Sequence, residues 1–203
     1  NPEEIYKKSF SLVRAETDFS GLSKTEEVVA VRLIHACGQP TIIKDLIFSK
    51  SAVDIGHSAI ENGASVIVDA EMVAFGIIRE SLKKDNEIVC TLNNVGVREA
   101  AKDMRTTRSA AAVDMWMDKL EGSIVVIGNA PTALFRLLEK LEAGAPVPAL
   151  ICGFAVGFVG AAESKEALIK YATKWKIPFI TLRGRLGGSA IASATVNALA
   201  GNL

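Results

Sequence analysis

Histidine occurs twice in this chain, and the two copies sit in different company. His35 falls in Val31-Arg32-Leu33-Ile34-His35-Ala36-Cys37-Gly38. Gly38 and Pro40 read as a helix stop, and Ser23-Lys24-Thr25-Glu26 reads as the capping box that opens the helix. The imidazole is thereby placed in the last helical turn. A helix dipole favours a cation there by about 0.3–1 kcal/mol, which would help hold a proton on His35, and histidine titrates near enough to neutrality to serve as an acid. Arg32 shares its face, with Val28, Val29, Leu33 and Ile34 supplying apolar surface. The segment alone fits equally a histidine satisfied by a carbonyl, the commoner fate. His57 has only Asp54 and Glu61 as carboxylates within one turn and reads as structural or exposed.

Arg183-Gly184-Arg185-Leu186-Gly187-Gly188-Ser189 is the second segment with chemistry in it. Its glycines let a backbone approach a ligand, the helix that follows presents unpaired N–H groups, and two guanidinium forks suit carboxylates or phosphates. Neither the dinucleotide nor the Walker A spacing is met, so a nucleotide reading would rest on topology alone. A tight strand-to-helix turn with solvated arginines is the alternative. In Thr106-Thr107-Arg108-Ser109, Arg108 opposes the dipole of the helix it starts, which fits either a further partner or an ordinary exposed arginine. Asn129 and Thr132, in Gly128-Asn129-Ala130-Pro131-Thr132, fit either a helix cap or ligand contact. Asp69 and Glu71 form a possible carboxylate pair, or caps of the next helix. Cys37 does not face His35 on their helix, and no nucleophile elbow or metal-ligand spacing occurs.

The elements that must carry these residues follow from hydrophobic periodicity. Five near-continuous apolar runs, 65–69, 88–92, 124–128, 149–154 and 178–182, read as strands buried on both faces. Helical patterns lie between them at 72–83, 95–102 with 107–120, 131–141 and 163–175, and a last one covers 188–199. The expected fold is a three-layer αβα sandwich on a mostly parallel five-stranded sheet. Helices at 2–16, 24–37 and 51–62 give a helical N-terminal section, 1–63, ahead of an α/β core, 64–203, in one domain, 1–203. Ligands of open α/β sheets settle at the carboxyl ends of the strands, which selects 69–72, 93–94, 128–132, 153–157 and 183–189.

With 203 residues the chain has ample length for a core. Its 23 basic and 23 acidic residues cancel, which argues against a nucleic-acid surface. Three scattered cysteines point to a reducing cytoplasm, and no apolar run reaches the roughly 20 residues of a membrane span.

In order along the chain, several blocks resemble the precorrin-8X methylmutase (cobalt-precorrin-8 methylmutase) family of cobalamin biosynthesis. They are Ser9-Phe10 with Arg14-Ala15-Glu16, Arg32-Leu33-Ile34-His35, Phe48-Ser49 with Ala52-Val53, and Glu71-Met72-Val73. Thr107 to Ala112, Gly128 to Phe135, Val156-Gly157-Phe158-Val159 with Glu163-Ser164-Lys165, and the 183–189 loop complete the set. The resemblance implies a flavodoxin-like fold and an isomerase that shifts a methyl group from C-11 to C-12 of a tetrapyrrole, with no metal, cofactor or covalent nucleophile from the protein. It implies proton donation or hydrogen bonding to the macrocycle by His35, a carboxylate or ring-edge contact for Arg108, and a place near the ligand for Ser9. The acetate and propionate arms of such a substrate would give Arg14, Arg32, Ser109, Asn129, Thr132, Arg183, Arg185, Gly187, Gly188 and Ser189 a common target. A homodimer with sites at the subunit boundary is also implied, and the composition above sets it in the cytoplasm with neither nucleic acid nor membrane as partner. Leu186, Ala155 and Ala74-Phe75 depart from the family pattern, which leaves a non-catalytic corrinoid-binding protein as the alternative.

Overall fold

The computed structural model describes residues 1–82 and 84–201. Lys83, where the 72–83 helix was expected to end, and Asn202 and Leu203, the end of the expected domain, lie outside the described residues. The chain runs α1 (Pro2–Glu16), α2 (Lys24–Cys37), β1 (Leu46–Phe48), α3 (Ala52–Glu61), β2 (Val66–Val68), α4 (Glu71–Gly76) and β3 (Ile88–Cys90). It continues through α5 (Val97–Asp103), α6 (Arg108–Val113), α7 (Met117–Leu120), β4 (Ile124–Ile127) and α8 (Pro131–Glu142). The final elements are β5 (Leu150–Gly153), α9 (Ala161–Trp175), β6 (Phe179–Leu182) and α10 (Ser189–Leu199).

Among the described residues one sheet has the order β1-β6-β5-β4-β2-β3. Strands β2 to β6 are parallel, and β1 pairs antiparallel with β6, Leu46 opposite Leu182. The parallel strands, counted in chain order, lie 2-1-3-4-5, so the winding reverses between β2 and β4. The apolar strands fill two layers by alternation. Val66, Val68, Ile124 and Val126 face α2, α3, α4 and α10, while Ile67, Val125 and Ile127 face α7, α8 and α9.

The expectation of five strands is corrected to six. β1 is a three-residue edge strand inside the section read as helical, too short to leave a periodic signal, so the N-terminal section also builds the sheet. The 72–83 pattern is broken as well. Gly76 lies so close to α10 that a Cβ there would sit 2.4 Å from Ser193 Oγ. Asn197 of α10 satisfies the groups freed by the break, donating from Nδ2 to the Gly76 carbonyl (2.9 Å) and accepting the Ile78 N–H on Oδ1 (2.8 Å). The 107–120 helix splits into α6 and α7 at Trp116, a buried side chain whose Nε1 donates to Thr91 Oγ1 at 2.9 Å.

Candidate active site

His35 stands where the capping signals put it. Ser23 accepts the Glu26 N–H, the Glu26 side chain returns the bond, and Gly38 closes α2 in the left-handed region with φ 67°, its N–H on the Ile34 carbonyl. Ser9 Oγ of α1 lies 2.7 Å from His35 Nδ1, leaving Nε2 as the ring nitrogen for a ligand. Tyr6 and Phe10 pack on the imidazole at centroid distances of 5.6 and 5.2 Å, and the Arg32 guanidinium lies 5.6 Å from the Phe10 ring centre. These residues form one wall of a cleft of about 450 Å³. The opposite wall is α4 and α10, through Met72, Gly76, Ala190 and Ser193. His57, half-buried, places Nδ1 2.7 Å from the Leu199 carbonyl, a structural contact.

A second group lies at the carboxyl ends of β2 and β4. Asp69, only 2% exposed, does not cap α4; Oδ1 accepts the Gly128 N–H at 2.8 Å, and Oδ2 accepts those of Asn129 and Ala130 at 3.0 and 2.7 Å. Burial pushes its pKa up against the pull of those three donors. Neither reading of Asp69 as half of a carboxylate pair or as a cap describes this clamp. Thr107 caps α6 by accepting the Ala110 N–H and shares a 2.7 Å hydrogen bond with Thr132 Oγ1. Arg108 is exposed and Ser109 half-buried at the start of that helix. Gly128 joins the two groups, because a Cβ on it would lie 2.8 Å from Ala192 Cβ and 3.1 Å from Ser189 Cα of α10.

The glycine loop is a packed turn. A Cβ on Gly187 would lie 2.2 Å from the Phe154 carbonyl oxygen, and Gly188 adopts φ 112° while its N–H donates to that same carbonyl. Beneath it Lys165, fully buried, donates from Nζ to the Leu186 carbonyl, and desolvation lowers its pKa to about 8. Arg185 lies 5.3 Å from the Phe158 ring centre. Ser9, Arg32 and His35 are thus brought together, with Ser189 next to the Ala190 wall. Arg14 and Arg183 are turned to carboxylates of their own fold instead, Glu27 (2.8 Å) and Glu166 (3.1 Å). The site residues chosen from the sequence left out Tyr6, Ser193 and Asn197, whereas Met72 fell in the 69–72 strand end and Lys165 in the Glu163-Ser164-Lys165 block without either receiving a role. Of the three left out, only Tyr6 carried a signal, four residues from Phe10 on one helix face.

The family model for precorrin-8X methylmutase matches residues 4–202. The precorrin-8X methylmutase of Pseudomonas aeruginosa is 52% identical over 198 residues, covering 98% of this chain and 94% of its own. The chain belongs to the precorrin-8X methylmutase family. Family membership makes it an isomerase. The cobalt-precorrin-8 methylmutase of Priestia megaterium is 35% identical over 98% of this chain and 87% of its own. The crystal structure of the precorrin-8X methylmutase of Thermus thermophilus superposes with a TM-score of 0.88 at 39% identity, covering 98% of this chain and 94% of that one. The family fold therefore holds across the site, the departures at Ala74, Phe75, Ala155 and Leu186 included. Phe75 and Leu186 are exposed, whereas Ala74 and Ala155 are buried in the two core layers.

Proposed function

We propose that this chain moves a methyl group from C-11 to C-12 of precorrin-8, or of its cobalt form, to give hydrogenobyrinate or cobyrinate. The observation that carries the reading is the Ser9–His35 pair at the wall of an apolar cleft in a chain of this family. Migration of a methyl group around a conjugated ring breaks and forms bonds within the substrate. The protein's task is to hold the ring and to supply a proton where the rearranged conjugated system takes one up, while another proton leaves the ring to solvent, so that the composition is unchanged. Ser9 fixes the ring orientation of His35 through Nδ1, so that Nε2 is the donor. Tyr6, Phe10 and Met72 offer apolar contact to the macrocycle, and Arg32, Arg108 and Arg185 offer forks to its carboxylate arms, with Asn129, Thr132 and Ser109 beside them. The protein works as a homodimer with its site at the subunit boundary.

Incubation with metal-free precorrin-8 and with the cobalt form, followed by absorption spectrum and mass, is the direct test. Conversion to a product of unchanged mass is expected. Binding of hydrogenobyrinate without any conversion of either substrate would leave a corrinoid-binding protein and sink the enzymatic reading. His35→Ala is expected to lower turnover by roughly 100-fold or more while product still binds. Undiminished turnover in that variant removes His35 from the mechanism.

A further inference from the structure

We propose that the Asp69 carboxylate is a built-in anion, filling the backbone nest at the reversal point of the sheet and thereby positioning Asn129 and, through Thr132 and Thr107, Arg108. The place matters first. Doubly wound sheets of this strand order take ligands in the crevice between the two strands where the winding reverses, here β2 and β4. Successive backbone N–H groups ahead of a helix are what such crevices offer to an anionic ligand.

In this chain the three N–H groups of Gly128, Asn129 and Ala130 already converge on the two oxygens of one side chain, at 2.7 to 3.0 Å. That side chain is 2% exposed and belongs to the strand end across the crevice. With the nest filled from within, a phosphate has no donors left to meet there, and ligand binding moves outward to the His35 cleft and the α6 start.

The clamp also has an outlet. Ala130 is the residue before α8, so fixing its N–H fixes the start of that helix and Thr132 in its first turn. Thr132 Oγ1 holds Thr107 Oγ1 at 2.7 Å, and Thr107 is the cap from which α6 and Arg108 begin. Gly128 lets the loop sit this close to α4, since any Cβ would meet Val73 Cγ2 at 2.6 Å. Asp69 is therefore a positioning residue whose charge sits one loop away from the substrate arm that Arg108 holds. The statement about Arg108 rests on the reaction proposed above; the statement about the nest does not.

The test compares wild type and Asp69→Ala in formate, inorganic phosphate and chloride at equal ionic strength. The variant is expected to gain more in melting temperature than the wild type on going from chloride to formate or phosphate, because a small anion re-enters the vacated nest on top of the general salt effect that both proteins share. In chloride its KM for the tetrapyrrole is expected to rise at least tenfold with kcat within threefold, and formate is expected to recover most of that loss. A purely space-filling Asp69 would give a variant whose response to the anion equals that of the wild type, and that result overturns the proposal. Asp69→Asn, which keeps shape and loses charge, covers the case in which the alanine variant does not fold. Its Gly128, Asn129 and Ala130 amides are expected to exchange with solvent at least tenfold faster, and unchanged exchange also overturns the proposal. If the wild type itself converts no tetrapyrrole, the reaction fails while melting and exchange still decide on Asp69.

Discussion

A histidine gains a direction only from what holds its other nitrogen, and in this protein that group is a hydroxyl on a different helix. Ser9 and His35 are 26 positions apart, and their 2.7 Å contact joins α1 to α2 at the point where the imidazole enters the cleft. Ser9→Ala removes that contact without opening a core, since Ser9 is only half-buried and His35 exposed. A hydrogen bond of this kind is worth about 1 kcal/mol, so turnover is expected to fall roughly fivefold to tenfold with little change in melting temperature. Steady-state rates beside a thermal melt check both halves; a melt that drops in proportion to the rate would mean the hydroxyl only supports the fold. Arg14→Ala is the matching control. Its Glu27 partner sits across an exposed pair worth at most about 1 kcal/mol, and turnover is expected to stay at the wild-type level. Arg14 shows where residue-by-residue reading runs out. Its type and place suit a carboxylate arm of the substrate as well as they suit Glu27, and nothing local in the sequence separates the two.

Elements settle what single residues leave open. Helix ends were legible because they depend on near neighbours: the Ser23–Glu26 box and the Gly38 stop lie within four residues of what they control. The end of α4 was not legible, because Gly76 and Ile78 are held by Asn197, about 120 positions away. Edge strand β1 was hidden for the same reason, its partner being β6. Lys165 is the sharpest case, a charged residue that the sequence places in a helix without a role and that lies fully buried under the glycine loop. Its folded-state pKa of about 8 sits below the 10.5 of an unperturbed lysine, so between those values the unfolded chain binds more protons than the folded one. Stability contributed at this position therefore rises with pH across that window, and below about pH 8 the buried charge is a steady penalty of at most roughly 3 kcal/mol. Lys165→Met is expected to lack that slope between pH 8 and 10.5 and to melt no lower than wild type at pH 7. Its turnover is expected to fall, because the Leu186 carbonyl loses its donor and the loop ahead of α10 loses its register. Denaturation followed from pH 7 upward gives the slope, and a variant with the wild-type slope would assign the pH dependence to another group.

At the scale of the whole molecule the cleft lies between α1 with α2 and α10 with α4, all on one face of the sheet. That arrangement leaves α1 in an unusual state. It has 15 residues, none of them buried, although it carries Ser9, Tyr6 and Phe10 to the site. A helix of that length is marginal in water unless an apolar face is covered. Ile5 and Leu12, seven residues apart on one flank, are 67% and 51% exposed. Covering what remains exposed of each would be worth about 1–2 kcal/mol, enough to decide whether α1 stays docked on α2. A second subunit laid along that flank would supply the cover and would bring the partner's surface to the rim of the His35 cleft, which is the geometry the proposed boundary site requires. The double change Ile5→Glu with Leu12→Glu is therefore expected to shift sedimentation from dimer to monomer at micromolar concentration. Turnover is expected to fall along with it, since α1 would then hold Ser9 loosely. Rates that rise again with protein concentration would tie the loss to association. A variant that stays dimeric and fully active would place the interface elsewhere and leave α1 held by α2 alone.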